Sequence, residues 1–328
     1  MSLKNFQLRV TSGHFTLPAA ILISLCCWLL AALLQPNVST DATPLFHSST
    51  DASLALTDRL GSFLLYAVIG YFLIEINNRF AIIRMRASVQ TSIYFLLASV
   101  CPGMHLLYAG DVASAALLVA LFFLFDSYQH PYPAGRLFHS FVFLGVASLF
   151  LPQFVWLVPF CWIGAYNFRS LTPRSFLASL LGFALPYWFL LCYAYWTGQM
   201  DIFYSPLSQM LDFRTPAFSF LPWELAMLLY LLLLYVVSAA HCLATGFSDK
   251  LRTRSYLHFL LLVNGLLFLL AFLQAWLCIQ ILPLLLIGVS LLSGHLFALS
   301  GGKAANIFFV VSLLLLLLLF VFNLWIFL

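Results

Sequence analysis

Charge is what this sequence most lacks: Asp, Glu, Lys and Arg make up 7% of its 328 residues, against 64% hydrophobic ones. A soluble domain carries about 25% charged residues, so a globule of this size cannot cover its surface in water with so few. Soluble enzymes, nucleic-acid binders and disordered chains are excluded on that ground. Period-two alternation of apolar and polar residues is also missing, which removes the membrane β-barrel. Seven cysteines are present (Cys26, Cys27, Cys101, Cys161, Cys192, Cys242 and Cys278), but none forms C-x-x-C or a Cys/His ligand spacing. They read as free thiols packed among apolar side chains. Walker A, G-x-G-x-x-G, G-x-S-x-G and H-E-x-x-H are absent as well. ATPase, dinucleotide-binding, esterase and metalloprotease readings lose their motif support with them.

What is there is apolar length. A membrane helix takes about 20 residues, because each rises about 1.5 Å across a core about 30 Å thick. Eleven segments qualify: 16–34, 61–76, 88–107, 111–125, 137–151, 153–168, 175–196, 223–246, 256–274, 277–297 and 304–327. They predict an all-α polytopic transmembrane helix bundle of about eleven spans. Segment 16–34 follows Lys4 and Arg9 and lacks a small-x-small cleavage site, so it reads as an uncleaved first span. The stretch 137–168 is either one long tilted helix or two short spans, and Pro152 favours two.

Basic residues test the threading independently. With the N-terminus in the cytoplasm, twelve of the fourteen Lys and Arg fall inside and only Arg59 and Arg214 outside. The positive-inside rule therefore places the N-terminus in and the C-terminus out. Asp41, Asp51, Asp58, Asp111, Asp201, Asp212 and Glu224 fall outside, and Glu75, Asp126 and Asp249 inside. The chain divides into a seven-span core, 1–196, with an outer loop at 35–60, an outer interfacial loop at 197–222, and a four-span part at 223–328. The second loop's mixture of aromatic and polar residues suggests an amphipathic stretch lying in the interface.

Asp51 and Asp58, with Arg59 beside them, are the candidate chemical groups of the outer face. A carboxylate there can act as a general base or meet a divalent cation on a pyrophosphate. The plainer alternative is a solvated loop, with Ser49-Thr50-Asp51 capping a helix that leads into the second span. No D-x-D or D-D pair occurs, so no motif supports a divalent cation and no cofactor is evident. On the inner face Glu75-Ile76-Asn77-Asn78-Arg79, followed by Arg84 and Arg86, either grips a lipid phosphate or sets topology by snorkelling. His105, His139, His241, His258 and His295 lack the i, i+4 pairing of a helical metal site, so no metal ligand is predicted and interhelical hydrogen bonding is expected. Trp156, Trp162, Tyr166, Tyr187, Trp188, Tyr193, Tyr195 and Trp196 suit an aromatic belt at the headgroups. In the terminal run from Leu313 onward, Asn323 is the only polar interruption.

Three stretches carry a resemblance. They are Asn78-Arg79-Phe80-Ala81-Ile82-Ile83-Arg84-Met85-Arg86 leading into Tyr94-Phe95-Leu96-Leu97, then Phe143 to Phe150 with Leu157-Val158-Pro159-Phe160, and Arg169 through Tyr187. Over about residues 60–196 the chain resembles an uncharacterised bacterial family of polytopic membrane proteins. More widely, the order first span, outer loop, second span, hairpins and then the Gly182-to-Pro186 span is similar to the seven-span core of polyprenol-dependent (GT-C) glycosyltransferases. That resemblance implies Asp51 or Asp58 as catalytic base or metal partner. It implies Arg59 or Arg214 as the outer phosphate partner, with Arg79, Arg84 and Arg86 as further basic contacts for lipid phosphate. The chain departs from the family's pattern in having no tandem acids, a short first loop and no soluble domain after the last span.

The expected partners are the lipid bilayer, a polyprenyl-linked lipid and other membrane proteins, with no nucleic acid. The expected location is the bacterial inner membrane. Three functions are open at this point: transfer of a sugar or related group from a polyprenyl-linked donor at the outer face, a non-catalytic subunit or scaffold of an envelope-assembly complex, and a small-solute or lipid transporter. Whether the protein is an enzyme is open too.

Overall fold

A computed structural model describes residues 7, 10–11, 13, 15–34, 52–83, 88–212 and 220–327. All regular structure among them is helical: α1 (Thr16–Leu34), α2 (Ala52–Phe80), α3 (Val89–Ser99), α4 (Ala109–Asp126), α5 (Ala134–Phe150), α6 (Leu157–Asn167), α7 (Pro173–Thr197), α8 (Asp201–Gln209), α9 (Pro222–Thr245), α10 (Leu251–Leu273), α11 (Cys278–Leu299) and α12 (Lys303–Phe327). Eight helices among the described residues are long and apolar enough to cross a membrane. Their outer surfaces are oily: Leu22, Leu33, Leu64, Leu181 and Leu317 are each more than 60% exposed. A surface of that kind is stable against lipid and not against water. The protein is an all-α polytopic membrane bundle.

Each expected span has a helix, but three are short. α3 stops after 11 residues because Cys101 turns extended before Pro102, and a single 3₁₀ turn, Pro102–His105, replaces the rest of the expected 88–107 span. The second span corrects the sequence reading in the other direction. Its helix begins at Ala52 rather than near residue 61, so Asp58 and Arg59 lie in a helix and not in an outer loop. Ser, Thr and Asp here suit either a loop or a helix leading into the second span, and Ala52, Leu54, Ala55, Leu56 and Leu60 carry good helix propensity through them.

The described residues form two compact units, one of 1–108, 219–249 and 285–328, the other of 109–218 and 250–284. In the second unit Pro152 reverses the chain: α5 ends at Phe150, a 3₁₀ turn covers Pro152–Trp156, and α6 returns. The Ser127 hydroxyl donates to the Ser170 hydroxyl at 3.1 Å and the Gln129 N–H to the Phe168 carbonyl at 3.0 Å. The turn before α5 and the turn after α6 therefore meet at one end, and 137–168 makes two passes. α5 and α7 start from that end and run side by side, with Gly145 and Gly182 as the contact points. A Cβ on Gly145 would lie 2.8 Å from the Phe183 carbonyl oxygen, and one on Gly182 would strike the Phe138 carbonyl. α7 is bounded by its own sequence, with a Thr172/Ser175 capping box before Pro173 and left-handed Gly198 after it.

The same end of this unit gathers charge. Asp126 pairs with Arg136, and the Tyr256 hydroxyl donates to the Phe125 carbonyl at 2.9 Å. Arg252 donates to that hydroxyl at 2.7 Å and lies 5.8 Å from the Tyr128 ring centre. Arg136, Arg169 and Arg252 thus share one end, as the two-span threading requires. At the opposite end Trp156 donates to the Met210 carbonyl at 3.3 Å. Here α8 supplies the expected amphipathic stretch, with Ile202, Phe203, Pro206 and Leu207 on its half-buried side and Asp201, Tyr204, Ser205 and Ser208 exposed.

Candidate functional site

In the first unit the two ends differ chemically. One end is built around the break at 100–105. His105 is fully buried and stacks on Trp28 with ring centres 4.0 Å apart. Trp28 also meets Phe63 and Tyr66 edge-on, at 5.3 and 5.8 Å. Gly103 faces Trp223 so closely that a Cβ would lie 2.9 Å from the indole. The next residue, Glu224, is buried, and one of its carboxylate oxygens accepts the Leu221 N–H at the start of α9. The α12 residue Asn323 donates to the Val100 carbonyl at 2.9 Å and to Cys101 Sγ at 3.4 Å.

Asp58 and Arg59 belong to this end. They are buried, at 4% and 8% exposure, and the Arg59 charge acts on the His105 ring. The expectation of a solvated loop around Asp58 is corrected accordingly: it sits on α2 one turn before buried Ser62, in a helix whose Phe63 and Tyr66 pack on Trp28 of α1. Of the other candidates, Asp51, Arg84, Arg86 and Arg214 lie outside the described residues, as do the 35–51 segment and its capping residues. Arg79 stands at the far end of α2 from Asp58, so the structure does not bring these two together. Neighbouring Asn77 is buried, and its side-chain oxygen accepts the Ile83 N–H at 2.8 Å, closing the helix end.

That far end holds a second polar cluster, which the sequence reading did not find. Gln7 ties the end together: its amide donates to the Phe297 and Ser300 carbonyls at 2.7 and 2.8 Å, and its N–H donates to Asn306 at 3.0 Å. Just inside, His241 and Cys242 of α9 meet His295 of α11, with one donor atom from each within 4.8 Å of the others. Cys242 Sγ lies 3.8 Å from His295 Nδ1, and His295 Nε2 lies 3.4 Å from an Asp249 carboxylate oxygen. Residues 242 and 295 are 53 apart, so no local spacing could signal the pairing.

Two surface grooves are apolar. One is lined by Leu181, Leu185, Trp188, Leu191 and Phe203 in the second unit, the other by Leu229, Tyr230, Leu233, Leu315 and Phe322 in the first. Neither includes a candidate acid or arginine.

Fold and site together define a multi-pass helical membrane protein with ionisable groups buried at both ends of one unit. No family model matches the chain, and neither a curated protein nor a solved structure matches it. The resemblances to the bacterial polytopic family and to the GT-C core therefore rest on the sequence motifs alone.

Proposed function

We propose that this is a multi-pass protein of a bacterial inner membrane that works on a lipid-linked polar group at the Asp58 end of its first unit. The observation that carries this reading is the burial of Asp58, Arg59, His105 and Glu224 at one end of a bundle whose outer surface is apolar. Ionisable side chains inside a membrane protein are costly and are retained where they bind or react. In its sharpest form the reaction is transfer of a sugar or related group from a polyprenyl-linked donor at the outer face. Asp58 accepts the proton of the acceptor hydroxyl, the hydroxyl oxygen forms the new bond to the sugar, and the glycosidic oxygen leaves with the lipid phosphate held by Arg59. Asp51 and Arg214 are the alternative acid and phosphate partner, and Arg79, Arg84 and Arg86 suit anionic lipid at the other surface.

The test is turnover of polyprenyl-phosphate-linked sugars by the purified chain in lipid vesicles. Asp58→Asn should lose about 10²–10⁴-fold in rate while eluting as a folded protein. Wild-type turnover in Asp58→Asn, Asp51→Asn and the double variant, or no turnover by the wild type with any such donor, overturns it. Orientation is checked separately by labelling cysteines placed at Arg169 and Arg252, which should react from the cytoplasmic side.

A second reading, a non-catalytic membrane subunit or scaffold, is favoured by the tight glycine contacts of α5 with α7 and by grooves that offer only apolar walls. Under it the Asp58 variants change stability or partner binding and no chemistry.

A further inference from the structure

We propose that His241, Cys242 and His295 hold a transition-metal ion of the Zn²⁺ type, with Asp249 orienting His295 from behind. The cluster lies at the end of the first unit away from Asp58, and its metal site stands or falls independently of the function proposed above.

Three observations carry it. The first is the donor set. One thiol and two imidazoles converge from two helices, with donor atoms within 4.8 Å of one another. Zn–S and Zn–N bonds of about 2.3 and 2.0 Å at a tetrahedral angle put sulfur and nitrogen about 3.5 Å apart. The 3.8 Å between Cys242 Sγ and His295 Nδ1 matches that separation within the movement of a side chain. In the same region the buried Nδ1 of His241 makes no hydrogen bond with the protein.

The second observation is the far side of the His295 ring. Its Nε2 faces an Asp249 carboxylate oxygen at 3.4 Å, and both side chains are buried, at 0% and 2% exposure. A ligating histidine normally gives its other N–H to a carboxylate, which fixes the tautomer and leaves the first nitrogen free to bind. With Nε2 carrying the proton toward Asp249, the lone pair of Nδ1 points toward Cys242.

The third is the field. His241 and Cys242 stand within the last turns of α9, which ends at Thr245, and His295 within the last turns of α11, which ends at Leu299. Helix C-termini carry partial negative charge, so two of them favour a cation between them. Thiolate with imidazole suits zinc better than magnesium or calcium, which take oxygen ligands. Three protein ligands leave a fourth position for water or a substrate atom.

The experiment uses the full chain purified in detergent, stripped of metal and titrated with Co²⁺ as the probe. Wild type should bind one equivalent with a thiolate-to-cobalt charge-transfer band, and Zn²⁺ should displace it. The band should vanish in Cys242→Ala and persist in Cys161→Ala, which removes another buried thiol. Asp249→Asn keeps all three ligands and should weaken binding 10–100-fold. A wild type without the band overturns the proposal, as does a band that survives Cys242→Ala. Should Cys242→Ala fail to fold, unchanged affinity in Asp249→Asn overturns it instead.

Discussion

Helices α11 and α12 follow one another, are both strongly apolar, and have opposite fates. In an 18-residue stretch of the span 275–299, 89% of the residues are buried, whereas in one of 303–326 the share is 28% and Leu314, Leu317 and Leu318 turn to the outside. Neither is short of apolar residues, the more exposed α12 having the higher mean hydropathy, 3.0 against 2.3. Small and polar residues separate them: α11 carries Ser290, Ser293, Gly294 and His295, all buried, while α12 runs as leucines from 313 to 319. In lipid a leucine gains nothing by leaving the tails, so buried helices are those whose small residues allow close packing and whose polar groups find partners. Asn323 confirms the rule from the other side. It is the one polar group late in α12, and it is fully buried against the 100–101 backbone.

Truncations at matched leucines would break or sharpen this contrast most. Leu292→Ala in α11, a fully buried side chain, should cost about 2–5 kcal/mol of unfolding free energy in mixed micelles. Leu317→Ala, 62% exposed on α12, should stay within about 0.5 kcal/mol. Equal losses would mean that α12 is covered by another protein in the native assembly. Gly294→Ala comes next. Its new Cβ would sit 2.9 Å from the Gln90 Cβ and 3.1 Å from an Ile83 methyl, so overpacking should cost about 1–3 kcal/mol by the same titration. Last is Asn323→Leu, which removes the bond to Val100 and should lower stability by about 0.6 kcal/mol, the mean for hydrogen bonds between membrane helices.

Much of the fold was legible in the sequence because lipid imposes simple demands. The apolar runs marked the membrane helices, Pro152 marked the reversal between α5 and α6, and the basic turns at Arg136, Arg169 and Arg252 fell at one end of their unit as the charge rule required. The failures were local. Thr57-Asp58-Arg59 reads either as loop by polarity or as part of a helix leading into the second span, and α2 runs through it, because a helix satisfies its own backbone and its Phe63 and Tyr66 pack on Trp28 of α1. Pro102 cut α3 short where continuous hydrophobicity had suggested a full span.

The candidate sites were less legible. Asp58 and Arg59 were found as residues but given the wrong surroundings, since burial depends on neighbours from α1 and from the 100–105 turn. His241 and Cys242 are adjacent in α9, but their meeting with His295, which lies 53 residues beyond Cys242, left no local trace.

By itself, then, the sequence determined the solvent and the helical class, because each follows from composition and from runs about 20 residues long. Only the tertiary structure decided how far each of two strongly apolar helices is covered by its neighbours, and which distant polar groups meet. Those outcomes depend on packing between segments far apart in the chain, where glycine contacts and hydrogen bonds of a few ångströms select one arrangement among many that hydrophobicity leaves equivalent.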